Sequence, residues 1–416
     1  MKIAILTYGS RGDVQPFLPL SQGLMARGHT VKLAAPSRFQ DLVEGYGIQF
    51  VPLAGEPESL SRAFNDAGRN FVKMIGALLD YATGIAVDVL QQTETSCADA
   101  DLIIHTFLQA VGAHTYACER NIPDIHIQTF PMFTPTGDYP NVTLPDLRYA
   151  PLNRLTHTLS KEMTWLGSRL GFEQVRRRAG LPKRKLYWPF GKTSPRPPTP
   201  ILCAWSPSLL PPSGDWADHV TVTGWYFFDL NQHYLPSTDL EMFLESGKPP
   251  VCVSFGSMVN RDAEKIDRIV CQALAQTGNR GIVLSGWSHV KHQSSQDVLY
   301  QDAVPHDWLL PRCKMIIHHG GAGTTSAGLQ AGIPNIVIPF AVDQPFWGQR
   351  VHAAGAGPAP IPVNKLTTEK LTQAILDADT NAYREPAAEL GRRIRREKGV
   401  GVAVRLIENI SNDFYR

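Results

Sequence analysis

Long apolar runs are missing from this chain: none approaches the roughly 18 residues that a membrane span needs. The opening MKIAILTYGS lacks both the extended apolar region and the small-residue cleavage site of a secretory signal. These two absences lead us to expect a cytoplasmic protein. Charge of one sign is scarce as well. Forty Lys and Arg stand against 38 Asp and Glu, a formal net charge of +2, so the overall field gives no reason to expect a nucleic-acid partner. The six cysteines (Cys97, Cys118, Cys203, Cys252, Cys271, Cys313) are far apart with no CxxC spacing, and read as reduced thiols in place of a zinc or iron–sulfur framework. Clusters of carboxylates are absent too. Asp99-Ala-Asp101 and Asp377-Ala-Asp379 imitate a metal-binding DxD, but the first stands just before the apolar run Leu102 to Ile104 and the second ends a helical stretch. Turns account for both, and no metal is expected.

What the chain has is one βαβ grammar, written twice. Lys2 to Thr7 is an apolar run ending at Gly9-Ser10, followed by Val14, Phe17, Leu18, Ser21, Leu24 and Met25 at helical spacing. Strands over Thr30 to Ala34 and Ile48 to Leu53 continue the series. Val251 to Phe255 restarts it, again with a Gly-Ser turn (Gly256-Ser257), a helical stretch through Ile266 to Leu274, and strands near 281–284, 315–317 and 335–338. The expected fold class is therefore α/β, with two doubly wound, Rossmann-like domains facing each other across a cleft. A polar, Pro-containing stretch marks the boundary. The expected division is 1–228, a linker over 229–250, a second domain over 251–395, and a C-terminal helix over 396–416 that packs back on the first domain. Residues 130–151 and 187–215 are dense in Pro, Gly and aromatics and read as loops that shape a site. Residues 152–179 between them read as helical. The basic runs 176–178 and 183–185 read as a solvated helix end, with contact to acidic lipid as the alternative.

Three stretches carry chemistry. His318-His319-Gly320-Gly321-Ala322-Gly323-Thr324-Thr325 follows a strand and opens a helix, so small residues let backbone N–H groups approach an anion at a positive helix end. A diphosphate fits there, with His319 donating to a phosphate oxygen or, alternatively, satisfying the turn backbone. At the end of a later strand, Asp343-Gln344 places a carboxylate beside a carboxamide, suited to sugar hydroxyls or, as readily, to capping a helix. In Gly9-Ser10-Arg11-Gly12-Asp13, Asp13 is either an N-cap or a general base that takes a proton from an attacking hydroxyl. A helix N-terminus and Arg11 would lower its basicity and burial would raise it. Ser10 and Ser257 are candidate phosphate ligands on equivalent turns, and Trp287 after a strand is a candidate neighbour of a nucleobase.

On these residues the chain resembles glycosyltransferase family 1, most closely its sterol 3-β-glucosyltransferase and vancomycin-type aglycone glucosyltransferase branches. The blocks run in family order: GSRGDVQPFLPL at 9–20, SPSLLPPSGDW at 206–216, VTGWYFFD at 222–229, VSFGSM at 253–258, HHGGAGTT at 318–325 and AVDQPFWGQR at 341–350. The resemblance implies a GT-B architecture and metal-independent inversion. It also implies that the C-terminal half holds the donor and the N-terminal half the acceptor. It makes Asp13 the base. Ser10, Ser257, His319, Gly321, Gly323 and Thr324 hold the diphosphate, and Asp343 with Gln344 holds the sugar. Residues 303–306 match the weaker start of the donor motif without the tryptophan and glutamine of plant relatives, so backbone groups at Val304 become the expected nucleobase contact. Pro131-Met132-Phe133-Thr134-Pro135-Thr136 stands where sterol-type members resemble PMPWTRT, which makes Met132 and Phe133 the acceptor-binding candidates. The expected activity is glucosyl transfer from UDP-glucose, a co-substrate with no bound cofactor, to a sterol, terpenoid, polyphenol or polyketide hydroxyl. A dTDP-sugar donor, a nucleotide-sugar epimerase and a non-catalytic binding module are the alternatives.

Overall fold

A computed structural model describes residues 1–56, 71–142, 144, 148–178, 180–191, 193–228, 234–256, 263–285 and 294–416. The chain divides into two compact units. The first comprises Met1–Trp205, Pro212–Phe227 and Lys398–Arg416, and the second Ser206–Pro211 and Phe228–Glu397.

The first unit is built on a seven-stranded sheet of β1 (Lys2–Leu6), β2 (Thr30–Pro36), β3 (Gln49–Leu53), β4 (Leu102–His105), β5 (Asp124–Gln128), β6 (Ile201–Cys203) and β7 (Val220–Val222), in the order 3-2-1-4-5-6-7. Every pair is parallel. Helices cover both faces of such a sheet, which is why β1 and β4 read as continuous apolar runs with no alternation. Chain order reverses between β1 and β4, and open α/β sheets bind ligands outside the strand ends at that point. The turn that leads out of β1 carries Gly9, Ser10 and Asp13.

The C-terminal helix Gly399–Phe414 belongs to this unit and lies on helix Phe17–Ala26. The crossing is close at Gly23, and the start of the C-terminal helix is close to the Gly224–Trp225 backbone at Gly399. A Cβ on Gly399 would stand 2.3 Å from the Trp225 carbonyl oxygen, and one on Gly23 2.6 Å from Val400. Glu408 accepts from Arg27 at 3.2 and 3.3 Å and lies 3.1 Å from His29, and the Tyr415 hydroxyl donates to the Asp101 carbonyl at 2.8 Å.

The second unit holds β8 (Val251–Ser254), β9 (Gly281–Leu284), β10 (Val298–Gln301), β11 (Met315–His318) and β12 (Asn335–Val337), all parallel, in the order 10-9-8-11-12. Its strands feed two cores. Val251, Val253, Met315 and Ile317 pack under helices Ala263–Gln276 and Thr368–Ala378, while Cys252, Ile282 and Ile316 meet Leu240, Leu309 and Ile333 on the other face. The reversal here falls between β8 and β11, and places the His318–Gly321 turn at its strand end. Among the described residues no helix is long and apolar enough to cross a membrane, and the six cysteines are free thiols.

Candidate active site

The Gly9–Asp13 turn is organised around one carboxylate oxygen. Ser10 begins the short helix Arg11–Val14 as its N-cap, and Asp13, three residues on, reaches back to it. The Ser10 N–H donates to Asp13 Oδ2 at 2.7 Å and the Ser10 hydroxyl donates to the same oxygen at 3.0 Å. Thr7 donates its hydroxyl to the Asp13 carbonyl at 2.7 Å and ties the turn to β1. Gly9 makes this possible in two ways. Its φ of +141° suits glycine, and a Cβ there would lie 2.3 Å from Asp13 Oδ2.

The N-cap reading of Asp13 does not describe its position, since Ser10 takes that role. Arg11 does not act on it either, because its guanidinium donates to Gln15 at 3.0 Å. Burial dominates: it raises the Asp13 carboxyl above the ordinary carboxylate value, with the two Ser10 hydrogen bonds opposing. Among the described residues Oδ1 has no hydrogen-bond partner. Ser10, expected at a phosphate, gives both its donors to Asp13.

In the second unit the paired histidines divide the work. His318 is fully buried, with Nε2 3.0 Å from Asn335 Oδ1, and its Nδ1 accepts the Gly320 N–H at 3.1 Å. Satisfying the turn is therefore the task of His318, and burial takes its pKa down to about 3. His319 is half-buried, its ring held between two glycines: a Cβ on Gly256 would be 3.1 Å from its Cε1, and one on Gly321 2.4 Å from its Nε2. Burial lowers its pKa to about 4, offset in part by the Ser254 carbonyl, so near neutral pH it is an uncharged imidazole offering one N–H.

Gly321 is the N-cap of helix Ala322–Ala331 with no side-chain cap bond, so the first-turn N–H groups receive no local side chain. A Cβ on Gly323 would meet nothing within 4 Å, so packing within the chain does not require glycine there. Thr324 is largely buried in the same turn.

The Asp343-Gln344 pair sits against this turn. A Cβ on Gly320 would lie 2.9 Å from the Gln344 carbonyl oxygen. Asp343 occupies the N-cap position of helix Gln344–Ala353 without a side-chain cap bond, and its Oδ2 accepts the Trp347 indole N–H at 3.0 Å. The buried Gln344 accepts the Phe340 and Ala341 N–H groups at 2.8 and 3.2 Å through Oε1. Val342, just before the pair, has φ +58°, a left-handed conformation rare for a β-branched side chain. The Val304 side chain belongs to the core, which leaves only its backbone to a ligand. Ser257 and Trp287 lie outside the described residues. His306, absent from the sequence-level candidates, stands with Nε2 3.3 Å from the Ser254 hydroxyl at the end of β8. Its signal was its place in the Val304-Pro305-His306 segment that opens the donor motif.

The acceptor candidates differ in exposure. Phe133 is only 3% exposed, stacked on Phe190 at 4.3 Å and edge-on to Trp188 at 5.5 Å, whereas Met132 is half-exposed. Gln128 at the end of β5 accepts the Phe133 N–H at 3.2 Å, and Asp215 of the SGDW block accepts the Gly137 N–H at 2.9 Å. These two bonds brace the 131–137 loop. The two DxD imitations are spent within the chain: Asp99 on Lys32 and Lys2, Asp101 on the Lys2 N–H, Asp377 on the Gln373 amide, and Asp379 on Lys314.

Beneath this loop lies a buried polar network that the sequence reading did not find. His105 Nε2 and His114 Nδ1 stand 3.0 and 2.9 Å from the same Asp124 oxygen, and the Thr199 hydroxyl donates to that oxygen at 3.2 Å. Burial alone would push the His114 pKa down, but its bonds to Asp124 and Cys118 carry it up to about 9. Burial likewise opposes ionisation of Asp124, and the two histidines hold its carboxyl well below the usual range.

Comparison with known proteins decides the family. Residues 3–136 match the glycosyltransferase family 28 N-terminal domain and residues 288–407 the erythromycin biosynthesis protein CIII-like C-terminal domain. O-mycaminosyltylonolide 6-deoxyallosyltransferase of Streptomyces fradiae is 35% identical over 429 residues, covering 98% of this chain and 97% of that protein. The chain belongs to the GT-B glycosyltransferases. A sterol 3-beta-glucosyltransferase of Arabidopsis thaliana is 34% identical to this glycosyltransferase over 97% of its chain, which spans 65% of that relative's length. Among solved structures, the glycotransferase of kitacinnamycin superposes with TM-score 0.72 at 21% identity, covering 98% of each chain. The Streptomyces sp. SF2575 glycosyltransferase complexed with thymidine diphosphate does so with TM-score 0.64 at 20% identity, over 98% of this chain and 99% of that one. At these identities the structural likeness shows the fold.

Proposed function

We propose that this glycosyltransferase moves glucose from UDP-glucose to a hydroxyl of a hydrophobic acceptor, with inversion at the anomeric carbon and Asp13 as general base. One observation carries the reading: the Asp13 carboxylate is anchored through Oδ2 alone and made more basic by burial, which leaves Oδ1 to take a proton. The acceptor oxygen attacks the anomeric carbon as its proton passes to Asp13, and the bond from that carbon to the diphosphate breaks with its electrons on the leaving oxygen. The first-turn N–H groups of helix Ala322–Ala331, with Gly323 open above them, the Thr324 hydroxyl and the N–H of neutral His319 are the donors for the developing charge. Asp343 and Gln344 hold the sugar from the adjoining loop, Val304 meets the base through its backbone, and Met132 and Phe133 contact the acceptor. Ser257 is proposed as a phosphate ligand and Trp287 as a neighbour of the base, while Ser10 keeps both its donors on Asp13.

A dTDP-sugar donor is the second reading, favoured by the full-length similarity to a macrolide deoxysugar transferase and by the thymidine diphosphate complex of a structural neighbour. Mass spectrometry of sterol, terpenoid, polyphenol and macrolide alcohols incubated with UDP-glucose or dTDP-glucose separates the two. Asp13→Asn is expected to lower transfer by about 10²- to 10⁴-fold while UDP affinity holds, and wild-type turnover in that variant would remove Asp13 from the mechanism.

A further inference from the structure

Helix Ala150–Arg178 carries an apolar stripe that faces away from its own unit. Leu152, Leu155, Leu159, Met163, Leu166 and Leu170 are 44, 46, 54, 73, 49 and 52% exposed. Their steps of three and four residues put them on one side of the helix. At 1.5 Å per residue the stripe runs for about 27 Å. The opposite side is the one that packs, through Asn153, His157 and Val175, all buried. Single exposed leucines need no explanation, but six in register on one helix do.

Charge identifies the occupant. The stripe continues into a basic end: Arg169, Arg177 and Lys183 are exposed, and no carboxylate among the described residues lies within ion-pairing distance of them. A second copy of the chain is a poor match. Pairing the stripes antiparallel brings Arg169 toward Arg154, and pairing them parallel sets Arg177 on Arg177; Glu162 and Glu173 border the stripe as well, but the helix carries six Arg and Lys against these two acids, a cationic excess that a second copy only doubles. A leucine face flanked by unpaired arginine and lysine is the pattern of a helix lying in the interface of an anionic bilayer, its apolar side among the acyl chains and its cations at the headgroups.

We infer that helix Ala150–Arg178 docks the enzyme on an anionic phospholipid surface. Within the basic runs Arg176 donates to the Pro182 carbonyl, Arg178 to Thr83 and Arg184 to Glu94 and Glu119, and Arg177 and Lys183 are the cations offered to the headgroups. The inference extends the proposed function, since a lipid surface is where a strongly hydrophobic acceptor dissolves. Its test needs neither donor nor acceptor, so its outcome is independent of the transfer assay.

The full chain is sedimented with phosphatidylcholine vesicles made with and without phosphatidylglycerol. Binding is expected with the anionic vesicles alone and is expected to weaken as salt rises. The combined variant Arg169→Gln, Arg177→Gln, Lys183→Gln replaces exposed side chains and should partition on the order of a hundredfold less. Leu159→Gln, Met163→Gln and Leu166→Gln together should lose binding to a similar degree, with circular dichroism confirming the fold. Absence of binding by the wild type, binding that survives the charge variant, or a solution dimer that the leucine variant dissociates would each overturn the inference.

Discussion

Gly9→Ala tests the geometry of the base without touching the base itself. The new methyl would stand 2.3 Å from Asp13 Oδ2 and 2.7 Å from its Cγ, at a backbone φ of +141° that L residues rarely adopt. Ordinary carbon–oxygen contact requires about 1 Å more, so the carboxylate must swing away and leave the Ser10 N–H and hydroxyl. The backbone strain costs about 1–3 kcal/mol, and each lost hydrogen bond to the charged group about 1.5–3 kcal/mol. A total of roughly 4–9 kcal/mol is a large part of the about 5–15 kcal/mol that holds a typical domain, so the melting temperature should fall by about 10–30 °C, and kinetics are read at a temperature where the variant remains folded. Moving the base by this much should cost at least about a hundredfold in kcat. Calorimetric titration should find UDP affinity unchanged, because the expected donor ligands of the second unit are untouched. Steady-state kinetics and differential scanning calorimetry on one preparation read both quantities. A Gly9→Ala enzyme with wild-type kcat would refute the argument, since it would mean that the Oδ2 anchor is irrelevant to the chemistry.

Three further outcomes are expected. Because burial raises the Asp13 carboxyl above its ordinary value, kcat should decline on acidification at a pH above the usual carboxylate range, and this limb should be missing from the residual activity of Asp13→Asn. The Asp124–His114 pair should stabilise the first unit within a definite pH window. The His114 contribution is complete below its unfolded value of 6.5 and lost as pH rises through about 9, and the Asp124 contribution is complete above 3.8 and lost on acidification toward its depressed value. Urea denaturation should therefore show an alkaline loss of about 3 kcal/mol in the wild type, whereas Asp124→Asn should be weaker throughout and lack that alkaline step. Gly399→Val places a side chain where the Trp225 carbonyl lies 2.3 Å away, so proteolysis should release the C-terminal helix more readily than in the wild type. A helix equally protected in both proteins would show that the contact of Gly399 with the Gly224–Trp225 backbone tolerates a side chain.

The sequence by itself determined the class of fold and the order of the motifs. Apolar runs such as KIAIL and VCVS are strands buried on both faces because parallel sheets are covered on both sides, and local pattern is enough to reveal them. The glycine turns after β1, β8 and β11 were equally legible, since a chain that must turn sharply at the end of a strand needs glycine there. The tertiary structure alone decided which neighbour each polar atom keeps. Two adjacent histidines look alike in a sequence, yet His318 is spent on Asn335 and the turn while His319 lies between two glycines, because Asn335 arrives from a strand 17 residues on. Arg11 is two residues from Asp13 and turns instead to Gln15, so burial governs the carboxylate. The Asp124 network joins side chains from two strands, a helix and a distant loop, and no spacing along the chain announces it. The leucines of helix Ala150–Arg178 have the period of an ordinary core-facing stripe, and only packing showed that the other side of the helix is the buried one. Hydrophobic period and turn chemistry are local properties that a sequence carries in the open, whereas hydrogen-bond partners, burial and the pKa shifts they cause depend on which distant segments meet.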